Sequence, residues 1–69
     1  MLRVKGPYTV TGFGAGGKIV ARKPARTLRL ATGRVSAFRK NPQVIEIRAT
    51  DSSNTLAIHE KKSALTGRW

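Results

Sequence analysis

This sequence has very few acidic residues, and none of them precedes Glu46. Its 69 residues include 3 acidic and 14 basic side chains, which gives a formal net charge of +11. A charge of this size opposes compaction by self-repulsion, and its usual reason is a polyanionic partner. Nucleic acid is the commonest polyanion, so the composition predicts a nucleic-acid-binding protein.

Cysteine is absent and His59 is the only histidine. These absences exclude disulfides and thiolate metal sites, and one histidine cannot build a zinc site. We therefore expect no metal and no cofactor. A chain this short buries only about 60% of the surface that its unfolded form exposes. Oligomerisation or a bound polyanion is left as the additional stabiliser.

Long hydrophobic runs are also missing, so the sequence predicts no membrane span and no signal peptide. The acid-free opening Met1–Arg3 is typical of a mitochondrial transit peptide, but the glycine-rich residues 6–17 do not fit an amphipathic presequence helix. We expect a nucleoid or virion interior, with an organelle left open and secretion disfavoured. The hydrophobic fraction of 39% indicates a folded chain rather than a disordered basic tail.

The first third of the chain has the period-two pattern of a hairpin. Residues 2–5 and 8–11 alternate in polarity, which predicts an edge strand interrupted at Pro7. Glycines dominate residues 12–17, which predicts a flexible connection. The β-branched residues of 18–23 then predict the second strand.

A helix is predicted over residues 24–39. Pro24 suits the first helical position. Gly33 costs about 1 kcal/mol inside a helix or else ends it, and Asn41-Pro42 stops it in either case. A long strand over 26–38 is the alternative. The apolar residues that fall on one helical face are Leu28, Ala31, Val35 and Phe38.

The last third predicts a second hairpin, with strands over 44–49 and 55–60 joined by the turn residues 50–54. Pairing Ile47 with Leu56 and Ile45 with Ile58 turns one apolar face inward. The outer face then holds Glu46, Arg48 and His59.

These elements predict a single α+β domain over residues 1–69: a small curled antiparallel sheet with one helix, in ββαββ order. The flexible glycine-rich loop is expected at 12–17 and a basic C-terminal tail at 61–69. If residues 26–38 form a strand, the fold is instead a small all-β barrel of SH3 or OB type.

Two motifs could indicate catalysis. Residues 12–18 match the G-x-x-x-x-G-K core of a phosphate-binding P-loop, but Ile19 replaces the required Ser or Thr and no helix is predicted to follow. The stretch is better interpreted as a hairpin tip, with Lys18 free to contact a phosphate. His59 could act as a base beside Glu46, but no activated nucleophile is present. We predict that the protein is not an enzyme.

The basic residues are the main functional signal, because they are concentrated in the acid-free part of the chain. Arginine outnumbers lysine, which favours planar phosphate contacts. Two aromatic residues are expected to stack or wedge if they are exposed, or otherwise simply to pack. The predicted nucleic-acid-binding residues are Lys18, Arg22, Lys23, Arg26, Arg29, Arg34, Arg39, Lys40 and Arg48, with Phe13 and Trp69 as the aromatics.

Five short segments of residues 19–60 follow one another in a characteristic order and spacing: Arg22–Arg26, Leu28–Ala31, Asn41-Pro42, Val44–Arg48 and Leu56–His59. In this order they resemble the MC1 family, the small monomeric chromosomal proteins of archaea with relatives in large DNA viruses. The resemblance implies duplex DNA binding without strong sequence preference, with DNA bending. It also implies phosphate contacts by Arg22, Lys23 and Arg26, and a place for Arg48 on the binding sheet. Thr27 and Leu28 depart from the family's small alanines, and the glycine-rich hairpin replaces its N-terminal strand.

We therefore expect non-sequence-specific binding of nucleic acid through its phosphates, with duplex DNA architecture or packaging first and RNA as a further polymer. The alternative is a small basic structural component of a ribosome or viral capsid. In that case the apolar tail residues Leu65 and Trp69 would contact neighbouring protein subunits. The alternative chain should be poorly folded without its partner, whereas a DNA-architectural protein should fold alone.

Overall fold

The computed structural model describes residues 7–69, which form one α-helix and one four-stranded sheet. The predicted α+β class and ββαββ order are confirmed, and the all-β barrel is wrong because residues 28–39 are helical. The predicted strand segment at residues 2–5 lies outside the described residues. The elements are β1 (Tyr8–Phe13), β2 (Ile19–Ala25), α1 (Leu28–Arg39), β3 (Glu46–Thr50) and β4 (Leu56–Lys61).

The sheet is antiparallel throughout and has the strand order β2-β1-β3-β4. β1 and β2 form the first hairpin, β3 and β4 form the second, and β1 pairs with β3 at the centre. α1 connects the hairpins and packs against β1, β2 and β3. Antiparallel sheets can leave one face to solvent. In the part of the chain that the structure describes, no helix covers the face of the sheet opposite α1, and we call it the open face.

The helix begins at Leu28, so the predicted start at Pro24 is wrong. Pro24 lies in β2 opposite Thr9, and an edge strand is where a sheet tolerates proline. Thr27 is the N-cap, and its side chain accepts a hydrogen bond from the backbone N–H of Leu30 at 3.2 Å. Gly33 lies inside α1 and does not end it. The helix ends at Arg39, as predicted, and Asn41-Pro42 follows its C-cap Lys40.

The core lies between α1 and the sheet. Its largest fully buried side chains are Val10, Val35, Val44 and Ile47. Burying each of these contributes about 1.5–3 kcal/mol. The predicted apolar face of the helix is confirmed for Ala31, Val35 and Phe38, whereas Leu28 remains 49% exposed at the first helical position.

The predicted register of the second hairpin is wrong. Ile47 lies opposite Glu60 and Ala49 opposite Ile58, rather than Ile47 opposite Leu56. The turn is centred later than predicted because Asp51 Oδ1 accepts the backbone N–H groups of Ser53 and Thr55. A bulge between Ala49 and Thr50 in the pairing shifts the register by one further residue. Beyond the bulge the combined displacement is even, so Ile58 keeps its predicted inner face and His59 its predicted outer face. Leu56 lies before the bulge and does not keep its face: it was predicted to point inward, but it lies opposite Thr50 on the open face and is 49% exposed.

Two glycines of the predicted flexible connection are tightly packed. Gly12 belongs to β1, and a Cβ there would lie 3.1–3.3 Å from side-chain atoms of Val44 and Phe38. A Cβ at Gly14 would lie 2.8 Å from Val20 Cγ2 and 3.0 Å from the carbonyl oxygen of Gln43. The loop proper is the short 3₁₀ turn over residues 15–17, and the two glycines before it allow the close approach of neighbouring segments.

Candidate nucleic-acid interface

Two of the three carboxylates form ion pairs. Glu60 accepts hydrogen bonds from the guanidinium of Arg39, with Nε 2.6 Å from Oε1. Glu46 Oε2 accepts from His59 Nε2 at 2.6 Å and from Arg48 Nε at 3.1 Å. The bond from Arg39 holds the pKa of Glu60 below its ordinary value, and the bond from His59 does the same for the pKa of Glu46. Both carboxylates are therefore ionised at neutral pH.

The third carboxylate, Asp51, stabilises the β3–β4 turn through backbone N–H groups. All three side-chain carboxylates therefore have partners: Glu60 pairs with Arg39, Glu46 pairs with Arg48 and His59, and Asp51 binds this turn. The remaining cations of residues 7–69 have no carboxylate partner. They are Lys18, Arg22, Lys23, Arg26, Arg29, Arg34, Lys40, Lys61, Lys62 and Arg68.

Four predicted residues lie at the junction between β2 and α1: Arg22, Lys23, Arg26 and Arg29. The alternation of β2 places the first two on different faces of the sheet. Arg22 lies opposite Thr11 on the open face. Lys23 lies opposite Val10, which is buried, so its Cβ is on the side of the sheet that α1 covers. Both side chains are exposed because β2 is an edge strand. Arg22 and Lys23 therefore face different surfaces of the same edge.

The rest of the junction surrounds the beginning of α1. Arg26 lies in the connection to the helix, and Arg29 is exposed in the first helical turn. Arg34 Nε donates to the carbonyl oxygen of Pro24 at 3.4 Å, which holds this side chain back over the end of β2. Arg26 and Arg34 line a shallow cleft of about 340 Å³, together with Leu30. Three predicted cations are thus brought to one end of the helix.

The other end of α1 carries Arg39 and Lys40. Arg39 is paired with Glu60, so part of its charge is already neutralised. Lys40 is the C-cap and is exposed, and a cation here is favoured by the helix dipole. These two predicted residues are separated along the helix from the junction cations.

The glycine-lysine motif forms the tip of the first hairpin. The backbone N–H of Gly14 donates to the carbonyl oxygen of Lys18 at 2.6 Å, which closes the tip, and β2 begins immediately afterwards at Ile19. A P-loop needs a helix directly after its glycines. The structure has a strand there, and Lys18 is left exposed at the loop.

Three rows of side chains cross the open face, one residue from each strand in each row. Strand pairing fixes these rows, because directly opposite residues of antiparallel strands share a face. The middle row consists of Arg22, Thr11, Arg48 and His59. The flanking rows are Pro24, Thr9, Thr50 and Leu56 on one side and Ile19, Phe13, Glu46 and Lys61 on the other.

The open face brings together predicted residues that are distant in sequence. The guanidinium carbon of Arg48 lies 5.4 Å from the centre of the Phe13 ring, within cation–π range. Phe13, Arg48 and Arg22 line one cleft of about 520 Å³. Two threonines of β1 on the same face, Thr9 and Thr11, also line it and were not predicted as site residues. Their alternation with apolar residues along β1 was the available signal.

Trp69 lies on the other side of the molecule. Its ring packs against the hydrophobic core, and its indole N–H is buried without a hydrogen-bond partner. The ammonium of Lys62 lies 5.8 Å from the centre of the ring. Trp69 is therefore not on the surface that Phe13 and Arg48 share.

Two further kinds of site are absent from the described residues 7–69. No group of three or more His, Cys, Asp or Glu side chains is arranged to hold a metal ion. None of the helices in that range is long and apolar enough to cross a membrane.

No known protein family, no curated protein and no solved structure matches this chain. The resemblance to the MC1 family therefore stays a prediction.

Proposed function

We propose that this protein binds nucleic acid without sequence preference, through the phosphates, and that duplex DNA architecture or packaging is its role. The observation that carries the proposal is the lack of carboxylate partners for the cations of residues 18–40 other than Arg39. A folded domain with this much uncompensated charge gains stability when a polyanion binds.

The mechanism is counterion release. Each phosphate that a lysine or arginine neutralises displaces a condensed cation from the DNA, so affinity falls as salt concentration rises. For about eight phosphate contacts, the affinity for duplex DNA falls with roughly the seventh power of the salt concentration. Backbone contacts of this kind position a protein without reading the bases.

The beginning of α1 supports the proposal independently of net charge. Arg26 and Arg29 lie at the end of the helix where the dipole is positive, and the first turn contains no acidic residue. Cations are unfavourable at this end of a helix. A phosphate bound between them would be stabilised by both side chains and by the dipole, which offsets that cost.

Exposed leucines favour the second candidate, a structural component of a larger assembly. Leu65 is 97% exposed in the C-terminal tail, and Leu28 and Leu30 are 49% and 45% exposed on α1. In that role these side chains would contact neighbouring protein subunits while the cations bind RNA or a packaged genome. Trp69, in contrast, packs on the protein's own core.

The test is a titration of the purified protein with a fluorescent 20-base-pair DNA and a matched RNA hairpin at three salt concentrations. Tight DNA binding with a steep salt slope and little dependence on sequence supports the architectural role. Circular dichroism of the free protein separates the candidates, because an assembly component should be poorly folded alone. Failure to bind either polymer at low salt would contradict both.

A further inference from the structure

We propose that the open face of the sheet is a stacking site for an unpaired base, so that the protein binds single-stranded nucleic acid through base contacts as well as phosphates. This inference rests on the proposed function and adds a second site to it. The site is the cleft of about 520 Å³ on the open face, which extends from Phe13 to the β3–β4 turn. Its chemistry is that of one base with its adjoining phosphates, in DNA or RNA.

The Phe13 ring and the Arg48 guanidinium form the stacking surface. The guanidinium lies over the ring, 5.4 Å from its centre, and the Arg48 side chain is 51% exposed. Unpaired bases stack on aromatic rings and on guanidinium planes, and every base has a π-face that can do so. The bond from Arg48 Nε to Glu46 holds the guanidinium in place, so little ordering is needed on binding.

The cleft has a polar wall that can contact a base edge. Thr11 is on the same strand as Phe13 and Thr50 is on the same strand as Arg48, and both threonines line the cleft. Asn54 lies at its rim. The turn that carries Asn54 is fixed, because the backbone N–H groups of Ser53 and Thr55 donate hydrogen bonds to Asp51 Oδ1. Asn54 itself adopts the left-handed conformation, with φ 63°. Hydroxyl and amide groups both donate and accept, which suits bases of any type.

Arg22 and Arg48 supply the positive charge for the phosphates on either side of that base. Arg22 and Arg48 lie opposite Thr11 from the two neighbouring strands, so their backbones are about 10 Å apart at the usual strand spacing. Asp51, the one carboxylate that lines the cleft, accepts hydrogen bonds from its own turn, and Glu46, which neighbours Arg48, is paired with Arg48 and His59. The open face therefore presents two cations in one row, with the Phe13 ring in the neighbouring row.

A fully paired duplex cannot use this stacking surface, because its bases are stacked on each other. Its phosphates remain available to the cations around α1. Single strands therefore gain an interaction at the open face that duplexes do not make.

The test compares three 20-mers of equal phosphate number: oligothymidylate, oligouridylate and an abasic oligodeoxynucleotide. The parent protein should bind both base-bearing strands about 5- to 100-fold more tightly than the abasic strand. Comparing the two base-bearing strands distinguishes DNA from RNA as the source. In Phe13→Leu this preference should be lost, while Phe13→Tyr, which keeps the ring, should retain it. Circular dichroism checks that each variant folds.

Equal binding of base-bearing and abasic strands by the parent would overturn the stacking site and leave the proposed function intact. Absence of binding to all three strands and to duplex DNA would overturn the proposed function itself. A second measurement needs no variant: backbone amide shifts of the parent with oligothymidylate. Shifts should be largest at Thr11, Phe13 and Arg48. Shifts confined to α1 would overturn the inference.

Discussion

Arg39 in the last turn of α1 is bonded to Glu60 on β4, and this pair ties the end of the helix to an edge strand of the sheet. The same contact removes one arginine and one carboxylate from the free surface charge. This structural contact therefore changes the electrostatics of the surface. A carboxylate that pairs with Arg39 in the fold is no longer available to neutralise another cation.

The stability of the fold should fall in acid. The pKa values of Glu60 and Glu46 are lowered in the folded state, from an ordinary value of 4.5. A group whose pKa is lowered by folding stabilises the fold above its unfolded pKa, and this stabilisation is lost as pH falls through the folded value. The free energy of unfolding, measured with urea between pH 3 and 7, should be steady above about pH 5 and decline below pH 4.5. In Glu60→Gln the free energy of unfolding should decline less steeply with falling pH. An unchanged decline would contradict a contribution of Glu60 to the acid sensitivity of the fold.

Two glycine substitutions should have opposite effects. Gly12→Ala places a methyl group 3.1–3.3 Å from Val44 and Phe38, so it should lower the free energy of unfolding by about 1–3 kcal/mol. Gly33→Ala meets no atom within 4 Å in the helix interior and should raise it by about 0.5–1 kcal/mol. Thermal unfolding measures both. A stabilised Gly12→Ala would show that β1 does not pack as described.

The N-cap of α1 should contribute to stability. Thr27→Ala removes the acceptor of the Leu30 N–H, and the expected loss is about 0.5–2 kcal/mol. Thr32→Ala is the matched control, because Thr32 is exposed on α1 and donates only to the carbonyl of Leu28. Its effect should stay within about 0.5 kcal/mol. If urea unfolding shows the same loss of stability for both changes, Thr27 is not the N-cap and the helix does not begin at Leu28.

Most of the fold was predictable because each element has a local signal. The alternation around Ile47 and the spacing of Ala31, Val35 and Phe38 identified the faces that become buried. The helix start at Pro24 was wrongly predicted because proline is suited both to a first helical turn and to an edge strand. Only the pairing with the neighbouring strand decides between the two.

The candidate site was predictable as a list of charges but not as a surface. Arg22 and Lys23 are adjacent in sequence yet belong to opposite faces, because β2 alternates. The approach of Arg48 to Phe13 depends on the pairing of β1 with β3, a contact between distant segments that no local pattern encodes. For Trp69 the sequence left stacking, wedging and packing open, and the structure packs its ring against the core.

The central claim is phosphate binding by the cations of residues 18–40 that lack a carboxylate partner. Its most direct test is the salt dependence of duplex binding in a charge-matched pair of variants. Arg22→Ala with Lys23→Ala should weaken binding equally on unrelated sequences and reduce the salt slope by about two. Lys61→Ala with Arg68→Ala removes the same charge from exposed positions outside the predicted site and should reduce the slope less. Equal slopes for the parent and the Arg22/Lys23 variant would contradict the account.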